Sequence, residues 1–184
     1  MCVELDSAGI RIPLRLISSS AVLRFSSAFN LDAVDPGHLL FGLTPAGPVK
    51  QDLDLKPAFV ALSSRLIHTR IVERNEFIDF SPIDLRPGDR LGVIPFGLRD
   101  GIAGLTCGEV LVRGRRVPIT GRFSMEHTRI DLTMVPDASV GDEVVLIGHQ
   151  QGQAITLSEV TERHNVPAIM PALSVGSGVQ RVLR

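Results

Sequence analysis

The pattern of hydrophobic and polar positions changes near residue 57, and the two parts of the chain predict different structures. Before that point, residues 10–17 and 38–42 predict short strands, and a short apolar segment at residues 21–25 favours a helix between them. Residues 38–42 are apolar on both faces, which is typical of the centre of an α/β sheet. A single β-α-β unit cannot cover its own sheet, so residues 1–45 indicate part of a larger structure.

Beyond a linker rich in proline, glycine and aspartate, short strands are predicted at intervals of about 8–12 residues. The predicted strands lie at residues 59–72, 91–96, 108–112, 116–119, 129–134, 143–147 and 179–183. Residues 113–115 predict a hairpin turn. Thr156 to Glu159 has the form of a capping box and predicts a helix that ends at His164. This spacing favours an all-β barrel or sandwich for the second part of the chain.

Composition and charge exclude several classes of protein. The chain has 184 residues, 44% hydrophobic and 21% charged, as expected for a globular protein, and its net charge of −1 disfavours nucleic-acid binding. The longest stretch without a charged side chain, residues 164–180, is interrupted by prolines and glycines, whereas a membrane span needs about 20 apolar residues. Glu4 and Asp6 lie where a secretory signal would be basic. Two cysteines make no disulfide framework, so we expect a cytoplasmic protein without membrane contact.

The residues available for chemistry are few. The chain contains neither tyrosine nor tryptophan, so no phenol can transfer a proton. Its lysines are Lys50 and Lys56, so Schiff-base chemistry must use one of these two or a lysine of another chain. The five histidines are scattered without metal-ligand spacing, and no metal site is predicted.

Four short patterns leave a functional and a structural interpretation open. The hydroxyls of residues 18–20 and the backbone of residues 36–38 have the form of a phosphate site at strand ends, or of ordinary turns. Asp100 lies in an Asp-Gly turn and is either a turn residue or a buried functional carboxylate. Met125 lies among polar neighbours and is either a core methionine or part of a site.

Four ordered segments resemble the second half of alanine racemase. Residues 92–101 (GVIPFGLRDG) resemble the strand and Gly-Tyr-Ala-Asp-Gly turn of that family, and residues 114–126 (GRRVPITGRFSME) resemble its G-x-x-V-P-I-x-G-R-x-x-M-D segment. Residues 140–148 (VGDEVVLIG) resemble its V-G-D-E-V-x-L-x-G strand, and residues 35–43 (DPGHLLFGL) resemble its R-P-G-I-A-L-Y-G-L strand. The four segments are collinear, and the resemblance extends from about Ile10 to the end of the chain.

The resemblance implies a fold, a cofactor and partners. The expected architecture is a mainly β C-terminal barrel or sandwich domain of alanine-racemase type at residues 49–184. It is preceded, at residues 1–48, by a remnant of the last strands of a (β/α)8 barrel. The expected cofactor is pyridoxal phosphate, bound only if another chain completes the site. The expected partner is a second copy in a homodimer, or a lysine-bearing barrel chain in a hetero-complex, and the implied substrate is an amino acid.

The resemblance also implies roles for individual residues. Ser20 and the backbone of Gly37 and His38 match the positions that bind the cofactor phosphate. Asp35 stands where the family has an arginine against the pyridine nitrogen, and a carboxylate there favours a protonated ring and a stronger electron sink. Met125 matches a position at the substrate carboxylate. These five residues are the predicted cofactor and substrate contacts.

The departures from the family leave the chain without predicted catalytic residues. Leu98 replaces the tyrosine that serves as the second base, and Ser177 falls, in a loosely matched region, near a second tyrosine. The cofactor lysine of the family belongs to a region that this sequence lacks. We therefore expect no racemisation by this chain on its own. Two hypotheses stay open: a subunit or fragment of a pyridoxal-phosphate enzyme, or a non-catalytic dimerisation module derived from one.

Overall fold

The computed structural model describes residues 2–45, 53–75, 84–101 and 108–183. The chain divides into two compact units, Met1–Phe59 and Val60–Arg184, which we call the first and second unit. No described helix is long and apolar enough to cross a lipid bilayer.

The first unit contains a small parallel sheet. Its elements are α1 (Cys2–Ser7), β1 (Leu16–Ser19), α2 (Ser20–Phe25), a 3-10 turn (Ser27–Phe29), β2 (Ala33–Asp35) and α3 (Gly37–Leu40). Strands β1 and β2 pair in parallel, and the chain between them passes through α2. The predicted helix at residues 21–25 is confirmed as α2.

Two predicted strands of the first unit are wrong in extent or type. The strand expected at residues 10–17 begins only at Leu16, because Pro13 has no N–H to donate. The strand expected at residues 38–42 is the helix α3, and the second strand of the unit ends at Asp35 instead. A short apolar run does not distinguish the two structures, and Pro36 before it favours a helix start.

The second unit is built on antiparallel strands. They are β3 (Leu62–Arg65), β4 (His68–Ile71), β5 (Arg90–Ile94), β6 (Glu109–Val112), β7 (Arg115–Thr120), β8 (Thr128–Asp131), β9 (Glu143–Gln150) and β10 (Gln153–Ile155). They lie in the order β10-β9-β6-β7-β8-β5-β4, and β3 also pairs with β9. Helices α4 (Leu157–His164) and α5 (Met170–Ser174) follow. The predicted mainly β architecture is confirmed.

The core of the second unit is apolar and enclosed. Its largest fully buried side chains are Leu66, Leu85, Ile94, Leu111, Ile119, Ile130, Leu132 and Leu146, with four valines. The hairpin turn between β6 and β7 is confirmed, with Arg113 and Gly114 at φ of 48° and 73°. The capping box is confirmed on its helix side, because the Thr156 hydroxyl accepts a hydrogen bond from the Glu159 N–H at 3.1 Å.

Two predictions for the second unit are wrong. The single strand expected at residues 59–72 is divided into β3 and β4, because the chain changes partner: the Leu66 N–H donates to the Asp142 carbonyl, and the Ile67 N–H to the Val93 carbonyl. The strand expected at residues 179–183 is absent from the described part of that segment. Leu183 is 99% exposed there, so no strand or core packs against it.

Candidate functional site

In the first unit, the carboxyl ends of β1 and β2 form one edge. Ser19 and Asp35 are register partners at that edge. Ser20 begins α2 directly after β1, and Gly37 begins α3 shortly after β2. The Leu39 N–H donates to the Ser20 hydroxyl oxygen at 3.4 Å, which joins the starts of the two helices. Ligands of α/β folds bind at the carboxyl ends of parallel strands, so this edge is the candidate site of the unit.

The residues at this edge fit the phosphate end of pyridoxal phosphate. Ser20 is buried, and its hydroxyl accepts one hydrogen bond, which leaves its proton available to a phosphate oxygen. A Cβ built on Gly37 would meet no atom within 4 Å, so its backbone is open to a ligand. His38, the fourth residue predicted here, follows Gly37 in α3.

The same edge does not supply the reactive groups that the cofactor needs. Asp35 is exposed at the end of β2, and its carboxylate cannot form a Schiff base with the cofactor. Lys56 is exposed in a segment without helix or strand, and Lys50 lies outside the described residues. The described residues therefore fit the binding of a phosphate, but not covalent attachment of the cofactor.

In the second unit, the turn at residues 97–101 is held by hydrogen bonds to two other segments. The Leu98 N–H donates to the Ser124 carbonyl and the Arg99 N–H to the Met125 carbonyl, both at 2.9 Å. The Gly176 N–H donates to the Asp100 carbonyl at 2.8 Å. The Gly97 N–H donates to the Asp100 carboxylate at 2.8 Å, so this carboxylate closes the turn.

The turn brings three predicted positions into one region. Leu98 is 40% exposed, and Met125 is 63% exposed beside it, so the interpretation of Met125 as a core methionine is wrong. An ion pair of 2.9 Å between Arg99 and Glu126 adds a second link between the two segments. Ser177 follows the residue that bonds to Asp100 and is exposed. At the position of Leu98 the region offers an apolar side chain and no proton donor.

A narrow pocket lies between α4 and the sheet of the second unit. Its lining residues are Gly108, Glu109, Val110, Arg116, Ile119, Leu146, Ile155, Glu159, Val160, Arg163 and His164. Arg116 donates to the Glu159 carboxylate, and this hydrogen bond is the main cause that lowers the pKa of that carboxyl. Burial, and then the charge of Arg163, lower the pKa of His164.

Sequence reasoning missed this pocket. The hairpin turn predicted at residues 113–115 does not indicate it, because the pocket depends on the side chain of the next residue, Arg116, which lies against Glu109, at 3.2 Å, and Glu159. The sequence signal that could have indicated this pocket is the opposite charge of Arg116 in the hairpin and Glu159 in the helix that follows. Among the described residues, no group of three histidine, cysteine, aspartate or glutamate side chains could hold a metal ion.

Comparison with known proteins identifies the family. The family model described as "Alanine racemase, C-terminal domain" matches residues 59–183. "Alanine racemase 2" of Caldanaerobacter subterraneus subsp. tengcongensis is 36% identical over 167 residues, which cover 89% of this chain and 42% of that protein. This chain therefore spans less than half the length of that relative.

Solved structures agree with the sequence match. The alanine racemase of Bacillus anthracis with bound L-Ala-P gives a TM-score of 0.79 at 26% identity, over 94% of this chain and 45% of that one. The alanine racemase of Bartonella henselae with covalently bound pyridoxal phosphate gives 0.75 at 25% identity, over 98% and 49%. The predicted resemblance and the predicted fold class are confirmed. The chain belongs to the alanine racemase family, a family of pyridoxal-phosphate enzymes, and contains its C-terminal domain.

Proposed function

We propose that this chain forms part of the cofactor site of a pyridoxal-phosphate enzyme acting on amino acids, and that the cofactor lysine comes from polypeptide outside this sequence. The observation that carries the proposal is the edge where the Ser20 hydroxyl meets the Leu39 N–H beside the open backbone of Gly37. When bound, pyridoxal phosphate supplies an electron sink for a carbanion of the substrate.

The proposed contacts follow the predicted residues. Ser20 and the backbone of Gly37 and His38 hold the cofactor phosphate, and Asp35 lies on the side of the pyridine nitrogen. Met125 contributes to the pocket for the substrate carboxylate. In this proposal residues 1–48 complete the barrel of the enzyme, and residues 49–184 form its C-terminal domain.

The side chain of Leu98 argues against racemisation by this chain. Racemisation by two bases needs a proton donor on each face of the substrate carbon, and an aliphatic side chain supplies none. Leu98 is fixed by its backbone hydrogen bond to Ser124 and is 40% exposed, so its side chain is available to line a site. The proposed complex therefore handles protons from one face, through groups of its partner.

The surface of the first unit supports a partner chain. Large hydrophobic side chains are exposed in its described part, including Ile10, Leu14, Leu16, Ile17, Phe29, Leu31, Val34 and Leu40. Exposed apolar surface on this scale indicates an interaction site. We propose a lysine-bearing barrel chain as the partner in a cytoplasmic complex; assembly of two such complexes would match the homodimers that alanine racemases form.

Co-expression tests the proposal. The full chain is produced with the amino-terminal, lysine-bearing half of an alanine racemase, and the native mass and visible absorption of the purified assembly are measured. We expect a complex of both chains that carries the cofactor. A stable, colourless homodimer that excludes the barrel half would contradict the proposal and favour the non-catalytic dimerisation module.

The same complex tests the role of Leu98. Leu98→Tyr should raise the formation of D-alanine from L-alanine, because it restores a phenol at that position. Leu98→Phe adds the same bulk without the hydroxyl and should leave D-alanine formation at the background of the wild-type complex. Equal gains in both variants would show that bulk, not proton transfer, limits the reaction.

A further inference from the structure

The end of helix α4 contributes a buried imidazole nitrogen to the narrow pocket between that helix and the sheet. His164 is the last residue of α4, and Asn165 ends the helix with a φ of 51°. The Nε2 atom of His164 is buried and has no hydrogen-bond partner among the described residues. The free volume of the pocket, about 10 Å³, admits one water molecule at most. An imidazolium there could therefore not be hydrated as in bulk water.

The charged groups that line the pocket already balance one another. They are the carboxylates of Glu109 and Glu159 and the guanidiniums of Arg116 and Arg163. Arg116 pairs with both carboxylates, and Arg163 lies 3.8 Å from Glu159. The lining residues from β9 and β10 are apolar, and α5, which packs on α4, carries no titratable side chain. A proton on His164 therefore adds a positive charge that no described carboxylate of the pocket is free to pair with.

Two effects on the charge of this imidazole oppose each other. The C-terminal end of a helix favours a positive charge. Burial, followed by the charge of Arg163, nevertheless lowers the pKa of His164 below its ordinary value, so the neutral form is favoured in the pocket. Residues 102–107, which precede Gly108 in the pocket, lie outside the described residues and contain Cys107 but no carboxylate, histidine or basic side chain.

Helix α5 connects α4 to the turn at residues 97–101. It packs on α4, and Gly176 follows shortly after it. The Gly176 N–H donates to the Asp100 carbonyl at 2.8 Å. A Cβ built on Gly176 would lie 3.0 Å from the Arg99 carbonyl oxygen, so the two backbones are in close contact. The end of α4 is therefore joined to this turn through packed helices and a backbone hydrogen bond.

The same turn determines where two exposed side chains of the candidate region lie. The Leu98 N–H donates to the Ser124 carbonyl, and the Arg99 N–H donates to the Met125 carbonyl. Leu98 is 40% exposed and Met125 is 63% exposed. Coupling between distant sites requires an element that has two arrangements and is biased by both. Here that element is the end of α4, either packed against the sheet with a neutral imidazole or detached from it with a charged one.

We propose that protonation of His164 detaches the end of α4 from the sheet and, through α5, displaces the turn that carries Leu98. A buried charge without a partner is costly, and detachment exposes the imidazolium to water. The second unit then contains a pH-sensitive switch that acts on the position of Leu98 and Met125. The switch goes beyond the proposed function and requires neither a cofactor nor a lysine-bearing chain.

A nuclear magnetic resonance titration of the full chain tests the switch. The imidazole resonances of His164 and the amide resonances of Gly176 and Leu98 are followed from pH 7 to pH 4. We expect both amides to shift with the midpoint of the imidazole, because their hydrogen bonds change when the turn moves. The Leu66 amide, which donates to the Asp142 carbonyl outside this path, should not shift with that midpoint. Unshifted amides of Gly176 and Leu98 would overturn the proposal, and so would a simultaneous loss of all folded resonances, since acid would then unfold the unit.

Variants separate the charge of His164 from other titrations. His164→Gln cannot be protonated in this range and should abolish the shift of the Leu98 amide, and His164→Leu replaces it if the first variant does not fold. His127 is the matched control, because its N–H donates to the hydroxyl of Ser124 beside the turn. His127→Gln should keep the wild-type midpoint at the Leu98 amide. A wild-type response in His164→Gln, or a lost response in His127→Gln, would assign the shift to another group and overturn the proposal.

Arg163→Gln should move the midpoint in a known direction. The charge of Arg163 lowers the pKa of His164, so its removal makes protonation easier and raises the midpoint of the imidazole. The midpoints of the Gly176 and Leu98 amides should rise by the same amount, which a purely structural role of His164 does not predict. A rise at the imidazole alone would show that the turn does not respond to His164 and would overturn the proposal.

Discussion

Arg116 holds both carboxylate oxygens of Glu159, at 2.5 Å and 2.8 Å, and so connects the hairpin strand β7 to the helix α4. The same guanidinium donates to the Ala154 carbonyl at 2.5 Å and lies 3.2 Å from Glu109. Glu159 also occupies the first turn of α4, where its N–H donates to the Thr156 hydroxyl. Glu159 therefore contributes its backbone N–H to the start of the helix and its carboxylate to the attachment of the helix to the sheet.

Glu159→Gln should lower the free energy of unfolding by about 1 kcal/mol, because it removes the charge that pairs with Arg116. The value is smaller than for a buried ion pair, because this pair is partly exposed to solvent. The hydrogen bond from Arg116 lowers the pKa of Glu159 in the folded chain. Its stabilising effect is therefore present above the unfolded pKa of about 4.5 and is lost as pH falls through the folded value. Urea unfolding at pH 7 and at pH 3 measures both effects.

The control for this variant lies on the same helix. Glu162→Gln removes an exposed carboxylate of α4 and should change the unfolding free energy by less than about 0.5 kcal/mol. If the two variants lose equal stability at pH 7, the Arg116–Glu159 pair does not attach the helix.

The helix start and the ion pair show which features the sequence could predict. The capping box needs residues three positions apart, so the pattern of Thr156 and Glu159 was sufficient. Arg116 lies 43 residues from Glu159 along the chain, and only the pairing of β6, β7, β9 and β10 brings them together. Contacts of this range depend on the whole sheet, and no local pattern encodes them.

The residues of the candidate site also divide into those that the sequence predicts and those that it does not. The residues at the edge of β1 and β2 were predicted because they match family motifs, and such motifs are defined by the order of residues along the chain. The burial of Arg24 was not predicted, because an arginine side chain is normally exposed. The sequence around Met125 was compatible with a core position. In the structure its side chain is exposed, beside Leu98.

Gly101→Ala should open the turn at residues 97–101. Gly101 has φ of +95°, and a Cβ there would lie 1.5 Å from the Ser174 carbonyl oxygen. The backbone must move, and the hydrogen bond from the Gly176 N–H to the Asp100 carbonyl is the contact at risk. We expect a loss of more than about 2 kcal/mol, from the positive φ and the broken hydrogen bond together.

Gly141→Ala is the matched control, since Gly141 has φ of +96° and no atom within 4 Å of a built Cβ. It carries the same backbone strain without the collision, and should lose about 1–2 kcal/mol. Thermal and urea unfolding of the two variants separate strain from collision. Equal losses would mean that Ser174 and Gly101 are not in contact in solution.

His164 makes the stability of the second unit depend on pH. Its Nε2 atom is buried without a hydrogen-bond partner among the described residues, and burial, followed by the charge of Arg163, lowers its pKa below 6.5. Folding therefore favours the neutral imidazole, and its contribution to stability is complete above pH 6.5 and is lost as pH falls through the lowered folded value. His164→Gln, which cannot be protonated in this range, should show a smaller fall in unfolding temperature between pH 7 and pH 5 than the wild type. His149→Gln, at an exposed position of β9, should keep the wild-type fall, and an unchanged fall in His164→Gln would mean that protonation of this buried imidazole does not govern the stability of the unit.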